Sequence, residues 1–244
     1  MGVDRRAVLV LAAIAGACAG DIQGGGPDPV DARSFSADAR VLPADATSPP
    51  DAQVAASPCP TVAHVGDSLT ANTVDALSAA YRAAGASPRI DAYGGRAVLQ
   101  KLADDPKTGK QAALDIRASG FDGCWVVALG TNDTANVAAG ASYTRATSID
   151  EMMMAIDPAH DAPVLWVNTF TTRTTGYYAN DNMVLYNQAL TEARARWPNL
   201  IVFDWAAIAS GGSAPFVDGI HHTTAGYTVR NQAIANALQL LAPH

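Results

Sequence analysis

From Thr61 onward, short apolar runs alternate with longer helix-like segments. Repeated strand–helix units predict a parallel sheet covered by helices on both faces, because parallel neighbours need a long crossover connection. We therefore expect an α/β fold, a three-layer α/β/α domain with a five-stranded parallel sheet in the flavodoxin-like order 2-1-3-4-5. The predicted strands cover residues 61–65, 89–92, 124–129, 164–169 and 200–204, and the predicted helices residues 69–84, 108–118, 143–156, 183–196 and 224–241.

The first 60 residues have a different composition, which predicts an export signal followed by a tether. Arg5 and Arg6 precede an apolar stretch, 7–17, that has the length of a signal-peptide core and not of a membrane span. The segment that follows holds seven of the 14 prolines and a run of three glycines, and it has too few apolar residues to form a core. We expect a signal at 1–18, a disordered tether at 19–60 and a folded domain at 61–244.

Charge excludes one class of partner. The chain has a formal net charge of −7 and no basic run, which is unlike a protein that binds nucleic acid. The expected partner is a small-molecule or saccharide ester, for the reasons given below.

Two cysteines of the predicted domain fall near the same end of the sheet. Cys59 lies just before the first predicted strand and Cys124 opens the third. The order 2-1-3-4-5 makes these strands neighbours, so the cysteines lie side by side at their amino ends. We predict a disulfide between Cys59 and Cys124, which export permits; two buried thiols are the alternative.

Four polar motifs lie at or after predicted strands, where a parallel sheet places its ligands. Each is weak alone: a serine after a strand also caps helices, and paired glycines often mark a turn. The motifs are Gly66-Asp67-Ser68, Gly94-Gly95-Arg96, Gly130-Thr131-Asn132-Asp133 and Asp218-Gly219-Ile220-His221.

These motifs contain the groups that acyl transfer from an ester requires. Ser68 is the candidate nucleophile, neutral His221 the base that takes its proton, and Asp218 the residue that orients the imidazole. Backbone N–H groups of Ser68 and Gly95 and the side-chain amide of Asn132 are the candidate donors to the oxyanion. Activity should fall at acid pH, where the imidazole takes up a proton.

The set resembles the SGNH (GDSL-type) serine hydrolase family over nearly the whole predicted domain. The resemblance implies the flavodoxin-like sheet and assigns Ser68, Asn132, Asp218 and His221 to the family's nucleophile, oxyanion and triad positions. The second motif departs from the family's usual Ser-Gly, so Gly94 stays an alternative to Gly95 there. The α/β-hydrolase alternative requires a Gly-x-Ser-x-Gly elbow, which this sequence lacks.

The small residues before Cys18 make the N-terminus resemble a bacterial lipoprotein signal, which implies lipidation of Cys18. We expect an exported, membrane-anchored lipoprotein that faces the periplasm or the cell exterior, in contact with the membrane only through its lipid. Plain secretion is the alternative.

Other residues have less specific interpretations. Tyr177 and Tyr178 lie in a loop rich in hydroxyl and amide groups, which predicts a polar wall for a sugar or an ordinary solvated loop. His64 is expected in the core and His222 in solvent. A metal site from Asp218, His221 and His222 is conceivable, but no further ligand cluster is evident, so no metal and no cofactor are expected.

The sequence thus predicts an exported serine esterase that hydrolyses carboxylic esters, with short acyl groups such as acetyl on saccharides favoured. Two alternatives stay open. The same residues suit an O-acyltransferase of cell-envelope saccharides, if a sugar hydroxyl replaces water in the second step. A surface binding module with an inactive triad is the other.

Overall fold

A computed structural model describes residues 57–101 and 104–241. Five parallel strands form one sheet in the order β2-β1-β3-β4-β5, as the sequence predicts. The central strands are buried on both faces, which explains their nearly continuous apolar sequences. The strands are β1 (Thr61–Gly66), β2 (Ser87–Ala92), β3 (Cys124–Ala128), β4 (Val164–Val167) and β5 (Leu200–Phe203).

Eight α-helices surround the sheet within the described residues, and a short 3-10 turn at Leu238–Leu241 follows the last one. They are α1 (Ser68–Ala71), α2 (Val74–Ala83), α3 (Gly109–Ala118), α4 (Thr131–Ala138), α5 (Arg145–Ile156), α6 (Asn180–Ala193), α7 (Trp205–Ser210) and α8 (Thr224–Ala237).

Side chains that alternate along the strands fill two cores, one on each face of the sheet. On β3, Trp125 and Val127 pack with apolar residues of α3, α5 and α6, whereas Val126 faces the opposite core with residues of α2, α7 and α8. This division confirms the three-layer α/β/α architecture.

The structure differs from the predicted helices in a few places. The segment predicted as one helix at 69–84 divides at Asn72–Thr73 into α1 and α2. The helices α4 and α7 were not predicted, because each is short and begins within a few residues of the end of a strand, β3 for α4 and β5 for α7. The predicted helix at 183–196 begins earlier and ends at Ala193, in keeping with a proline at position 198 that disfavours helical backbone before it.

The amino ends of β1 and β3 are joined covalently. Cys59 and Cys124 form the predicted disulfide, with their Cα atoms 5.6 Å apart and 65 residues apart in sequence. Both residues are buried. The bond therefore links the start of the domain to its central strand, at the edge of the sheet opposite the polar motifs.

Several expectations lie outside the described residues: the signal, the lipidated Cys18 and the tether up to residue 56. Within the ranges that are described, no helix combines the length and apolar character needed to cross a membrane.

Candidate active site

Ser68 lies where β1 ends and α1 begins. Asp67, and not the serine, is the N-cap of this helix: its carboxylate accepts a hydrogen bond from the backbone N–H of Leu69 at 2.9 Å. Ser68 is the first helical residue and is only partly buried. The capping task therefore falls to its neighbour, and the Ser68 hydroxyl remains available for another partner.

That partner is His221, 153 residues later in the chain. The Oγ atom of Ser68 lies 3.0 Å from Nε2 of His221, and Nδ1 of the same ring lies 2.8 Å from Oδ2 of Asp218. A carboxylate at Nδ1 favours the tautomer with the proton on Nδ1, which leaves Nε2 free to accept the hydroxyl proton. The three groups thus form one hydrogen-bonded series from carboxylate to hydroxyl.

The loop before α8 holds Asp218 in place through its own backbone. Oδ1 of Asp218 accepts from the N–H groups of Ile220 and His221, at 2.9 and 2.7 Å. Partial burial would raise the pKa of Asp218, but hydrogen bonds from the His221 ring and from these N–H groups outweigh it and hold that pKa well below its usual value. The carboxylate is therefore ionised at any physiological pH.

The oxyanion candidate Asn132 comes from the first turn of α4, after β3. Its side chain is 8% exposed, and its Nδ2 donates to the carbonyl oxygen of Arg96 at 3.1 Å. A longer contact of 3.5 Å joins the same nitrogen to Oδ2 of Asp67. Asn132 therefore bridges the Gly94-Gly95-Arg96 motif and the turn that carries Ser68.

The two candidate glycines of the second motif differ in backbone conformation. Gly95 has φ +74°, in the left-handed region that favours glycine. Gly94 is outside that region, and a Cβ added to it would meet nothing within 4 Å. The requirement for glycine thus falls on Gly95, the residue next to the carbonyl that holds Asn132.

Arg96 anchors this turn, a role that the sequence did not reveal. Its buried guanidinium makes a bidentate pair with Asp105, at 3.1 and 3.2 Å, and a third bond with Asp91 at 2.7 Å. A bidentate arginine–carboxylate pair holds both side chains in one orientation and is stronger than a single hydrogen bond. An arginine directly after two glycines was the one available signal.

The two tyrosines of the β4–α6 loop differ in position. The side chain of Tyr177 is 60% exposed. Tyr178 is partly buried, and its hydroxyl donates to Oδ1 of Asn132 at 3.0 Å. Only Tyr178 is therefore connected to the other candidate residues.

Buried polar groups contact residues of α1, the helix that begins at Ser68, and sequence reasoning identified only His64 among them. The His64 ring bonds to the hydroxyls of Tyr81 and Thr70, at 2.8 and 3.0 Å, and burial, aided by Arg230, lowers its pKa to about 3. The guanidinium of Arg230 is also buried and donates to the Leu69 carbonyl at 3.2 Å. These groups thus hold two residues of α1 next to Ser68 and beyond it, Leu69 and Thr70.

The prediction that His222 is solvated is wrong. Its side chain is 3% exposed and packs against the rings of Trp205, Phe216 and Tyr227. Neither ring nitrogen has a hydrogen-bond partner in the described part of the chain. Burial is the main reason that the pKa of His222 is lowered to about 4. His222 pairs with Phe216 in an isolated antiparallel bridge, so its ring packs against Phe216 in the core while the ring of its neighbour His221 reaches Ser68.

No family model and no curated protein matches the chain. Solved structures do match. The C-terminal catalytic domain of Streptococcus pneumoniae peptidoglycan O-acetyltransferase A has 19% identity and TM-score 0.57, over 74% of this chain and 93% of that one. A carbohydrate acetylesterase from Sinorhizobium meliloti has 16% identity and TM-score 0.55, over 74% and 99%.

A lipase/acylhydrolase from Enterococcus faecalis has 18% identity and TM-score 0.58, over 73% of this chain and 95% of that one. The described domain therefore corresponds to nearly the full length of these solved structures. Together with the strand order and the placement of the four motifs, these likenesses identify the fold of the chain as that of the SGNH (GDSL-type) acylhydrolases.

Proposed function

We propose that the protein is an exported serine esterase that hydrolyses short acyl esters, in particular acetyl groups on saccharides. One observation carries the proposal: Asp218, His221 and Ser68 form a continuous hydrogen-bonded series beside the amide of Asn132. Residues from distant parts of the chain meet in the arrangement that acyl transfer needs.

In the proposed reaction, Ser68 Oγ attacks the carbonyl carbon of the ester while His221 Nε2 takes the hydroxyl proton. The negative charge that develops on the carbonyl oxygen is stabilised by the N–H groups of Ser68 and Gly95 and by the Asn132 amide. When the tetrahedral intermediate collapses, the C–O bond to the alcohol breaks and His221 gives its proton to the departing alcohol. Water then attacks the acyl-enzyme with His221 again as base, the acid is released, and the proton returns to Ser68.

The exposure of the site supports a bulky alcohol in the substrate. The side chains of His221 and Asp218 are 36% and 42% exposed, so the leaving group departs toward open solvent. A groove of about 480 Å³ adjoins Asp218 and is lined by Thr172, Arg173, Thr174 and Thr175. Hydroxyl and guanidinium groups there suit the hydroxyls of a sugar. The signal-like N-terminus supports export.

Replacement of the nucleophile tests the esterase proposal. Ser68→Ala should lower hydrolysis of p-nitrophenyl acetate by about 10⁴-fold or more, because nucleophile and base act as a unit. A fluorophosphonate should label wild-type protein at Ser68. Ser87→Ala, at an exposed position that opens β2, is the matched control and should keep full activity.

A wild-type protein that hydrolyses no acetyl ester and resists the fluorophosphonate would contradict the proposal and favour a binding module. A panel of acetyl to long-chain esters, with acetylated xylan and peptidoglycan fragments, tests the substrate class. Much faster turnover of long-chain esters would contradict the preference for short acyl groups.

An O-acyltransferase is the second candidate, favoured by the likeness to the catalytic domain of a peptidoglycan O-acetyltransferase. In that case a saccharide hydroxyl replaces water in the second step. Incubation with an acetyl donor and a muropeptide or chito-oligosaccharide separates the two candidates. Acetylated oligosaccharide that accumulates in competition with free acetate would favour transfer.

A further inference from the structure

The orientation of the Asn132 amide follows from its neighbours. The carbonyl oxygen of Arg96 can only accept a hydrogen bond, so the atom 3.1 Å away must be Nδ2. Oδ1 then faces the hydroxyl of Tyr178 at 3.0 Å, and this hydroxyl must donate. Flipping the amide would put an oxygen against a carbonyl and would lose the Arg96 bond.

The two hydrogens of Nδ2 are not equally engaged. One is donated to the Arg96 carbonyl, and the other has only the 3.5 Å contact with Oδ2 of Asp67, which is long for a hydrogen bond. Asp67 directly precedes Ser68 in the chain. The second N–H is therefore the one that is available to an oxyanion formed at Ser68.

Tyr178 is itself held firmly. Its carbonyl oxygen accepts from Oγ1 of Thr171 at 2.7 Å, and the next residue, Ala179, is the N-cap of α6. The same loop is bonded to the triad loop, since the N–H of Thr172 donates to the carbonyl of Gly219 at 2.9 Å. Burial, and secondarily the nearby Asp67 carboxylate, raise the pKa of Tyr178, which keeps its hydroxyl protonated and able to donate.

We propose that Tyr178 is a positioning residue of the oxyanion hole: its hydroxyl, held by the β4–α6 loop, locks the Asn132 amide with an N–H toward the developing charge. This inference rests on the proposed function. A donor that is already oriented needs no reorganisation during the reaction, and a hydrogen bond accepted by Oδ1 also polarises the N–H groups of the same amide. Without the hydroxyl, the amide has one fewer restraint on its rotation.

A double-mutant cycle tests this role. Tyr178→Phe removes the hydroxyl and keeps the ring; kcat for p-nitrophenyl acetate should fall about tenfold, with KM within a factor of two. Asn132→Ala alone should lower kcat by about 10² to 10³, the usual effect of losing an oxyanion donor. In the Asn132→Ala background, Tyr178→Phe should lower kcat no further, because the group through which it acts is absent.

The chain offers a matched control on the same helix. The hydroxyl of Tyr143 accepts a hydrogen bond from the side chain of Asn136, also on α4, at 3.3 Å. Tyr143→Phe removes a comparable tyrosine–asparagine contact four residues farther along, and kcat should stay at the wild-type value. Thermal melting of each variant separates loss of fold from loss of rate. The affinity of a boronic acid, which forms a tetrahedral adduct on serine, gives a second readout that does not need turnover, and Tyr178→Phe should weaken it about tenfold.

The outcomes separate the two proposals. If wild-type protein turns over ester and Asn132→Ala is impaired, but Tyr178→Phe keeps the wild-type kcat and adduct affinity, the positioning role is overturned and the esterase proposal stands. An effect of Tyr178→Phe that is mainly on KM and persists in the Asn132→Ala background would replace positioning with direct substrate contact. An inactive wild-type protein overturns both proposals.

Discussion

The proposed proton-transfer half of the site, His221 and Asp218, lies at the surface with side chains 36% and 42% exposed, whereas Asn132 in the proposed oxyanion half is 8% exposed. The first half is built locally, by one loop in which a carboxylate and an imidazole lie three residues apart. The second half is built from the first turn of α4, the turn after β2 and the β4–α6 loop, through contacts across 36 and 46 residues of sequence.

The difference in burial between the two halves changes the pKa values of their carboxyl groups in opposite directions. On the exposed side, hydrogen bonds outweigh partial burial and hold the pKa of Asp218 well below its usual value. On the buried side, loss of solvent raises the pKa of Asp67 to about 6 and that of Asp133 to about 7. One half thus keeps its negative charge beside the imidazole, whereas burial disfavours ionisation of the carboxyl groups in the other half.

The sharpest way to break the exposed half is Asp218→Asn. The amide can keep the backbone bonds but no longer stabilises the imidazolium, so kcat should fall by about 10³ to 10⁴. Stability at neutral pH should also fall, because the lowered pKa of Asp218 means that the folded chain favours the carboxylate. Esterase assays over a range of substrate concentrations measure it, with Asp75→Asn on the exposed face of α2 as the control. A loss of less than tenfold would show that catalysis does not depend on the Asp218 carboxylate.

The disulfide lies at the edge of the sheet away from both halves, so its removal should affect stability alone. Replacing Cys59 and Cys124 together by serine should lower the free energy of unfolding by about 2 to 4 kcal/mol, given the 65-residue separation of the cysteines. Denaturant unfolding of oxidised wild type and double variant measures this difference. kcat at low temperature should be unchanged, and a large drop in kcat would contradict the separation of the site from that edge.

His222 sharpens the comparison, because it adjoins His221 in sequence but belongs to the core. The pKa of His222 is lowered from 6.5 to about 4 in the folded protein. Between pH 6.5 and pH 4, the imidazole is therefore protonated in the unfolded chain but neutral in the folded protein, and the unfolded state gains stability as the pH falls. Wild-type stability should therefore decline over that range relative to His222→Phe, by at most about 3 kcal/mol. Urea unfolding at pH 7 and pH 4.5 measures the difference, and contributions from Asp67 and Asp133 cancel because both proteins share them.

A pH dependence that is the same in wild type and in His222→Phe would contradict this account. The phenylalanine ring of His222→Phe should keep the packing against Trp205 and Phe216. As a control for an intact fold, wild type and variant should have equal esterase activity at pH 7.

The smallest effect on stability and rate is expected in the Gly94-Gly95-Arg96 motif. Gly95→Ala places a side chain at φ +74°, which should cost about 1 to 2 kcal/mol, and it should lower kcat through the turn that holds Asn132. Gly94→Ala is the matched control, since a Cβ there has open space around it. Melting temperatures and kcat of the two variants test the assignment, and a larger loss for Gly94→Ala would reverse it.

The number and order of the strands were predictable, because buried parallel strands leave a plain signature of short apolar runs separated by helical segments; their ends differ from the predicted bounds by one or two residues. The triad candidates were predictable for a similar reason: Asp218 and His221 are close in sequence, and the strand order brings Ser68 to the same edge. Residues that act through the fold were missed. Nothing near Arg96 or Arg230 in the sequence shows that their guanidinium groups are buried, and the burial of His222 depends on aromatic rings from α7 and α8.

By itself, the sequence determined the layered fold, the disulfide partners and the groups available for acyl transfer, because each rests on periodicity, strand order or short spacing. Only the tertiary structure decided the rest. It made Asp67 the helix cap and left the Ser68 hydroxyl to His221, required glycine at position 95, and put the Tyr178 hydroxyl on the Asn132 amide. The reason is physical: hydrogen bonds and burial depend on angles and distances between elements far apart in the chain, and no local pattern of residues encodes them.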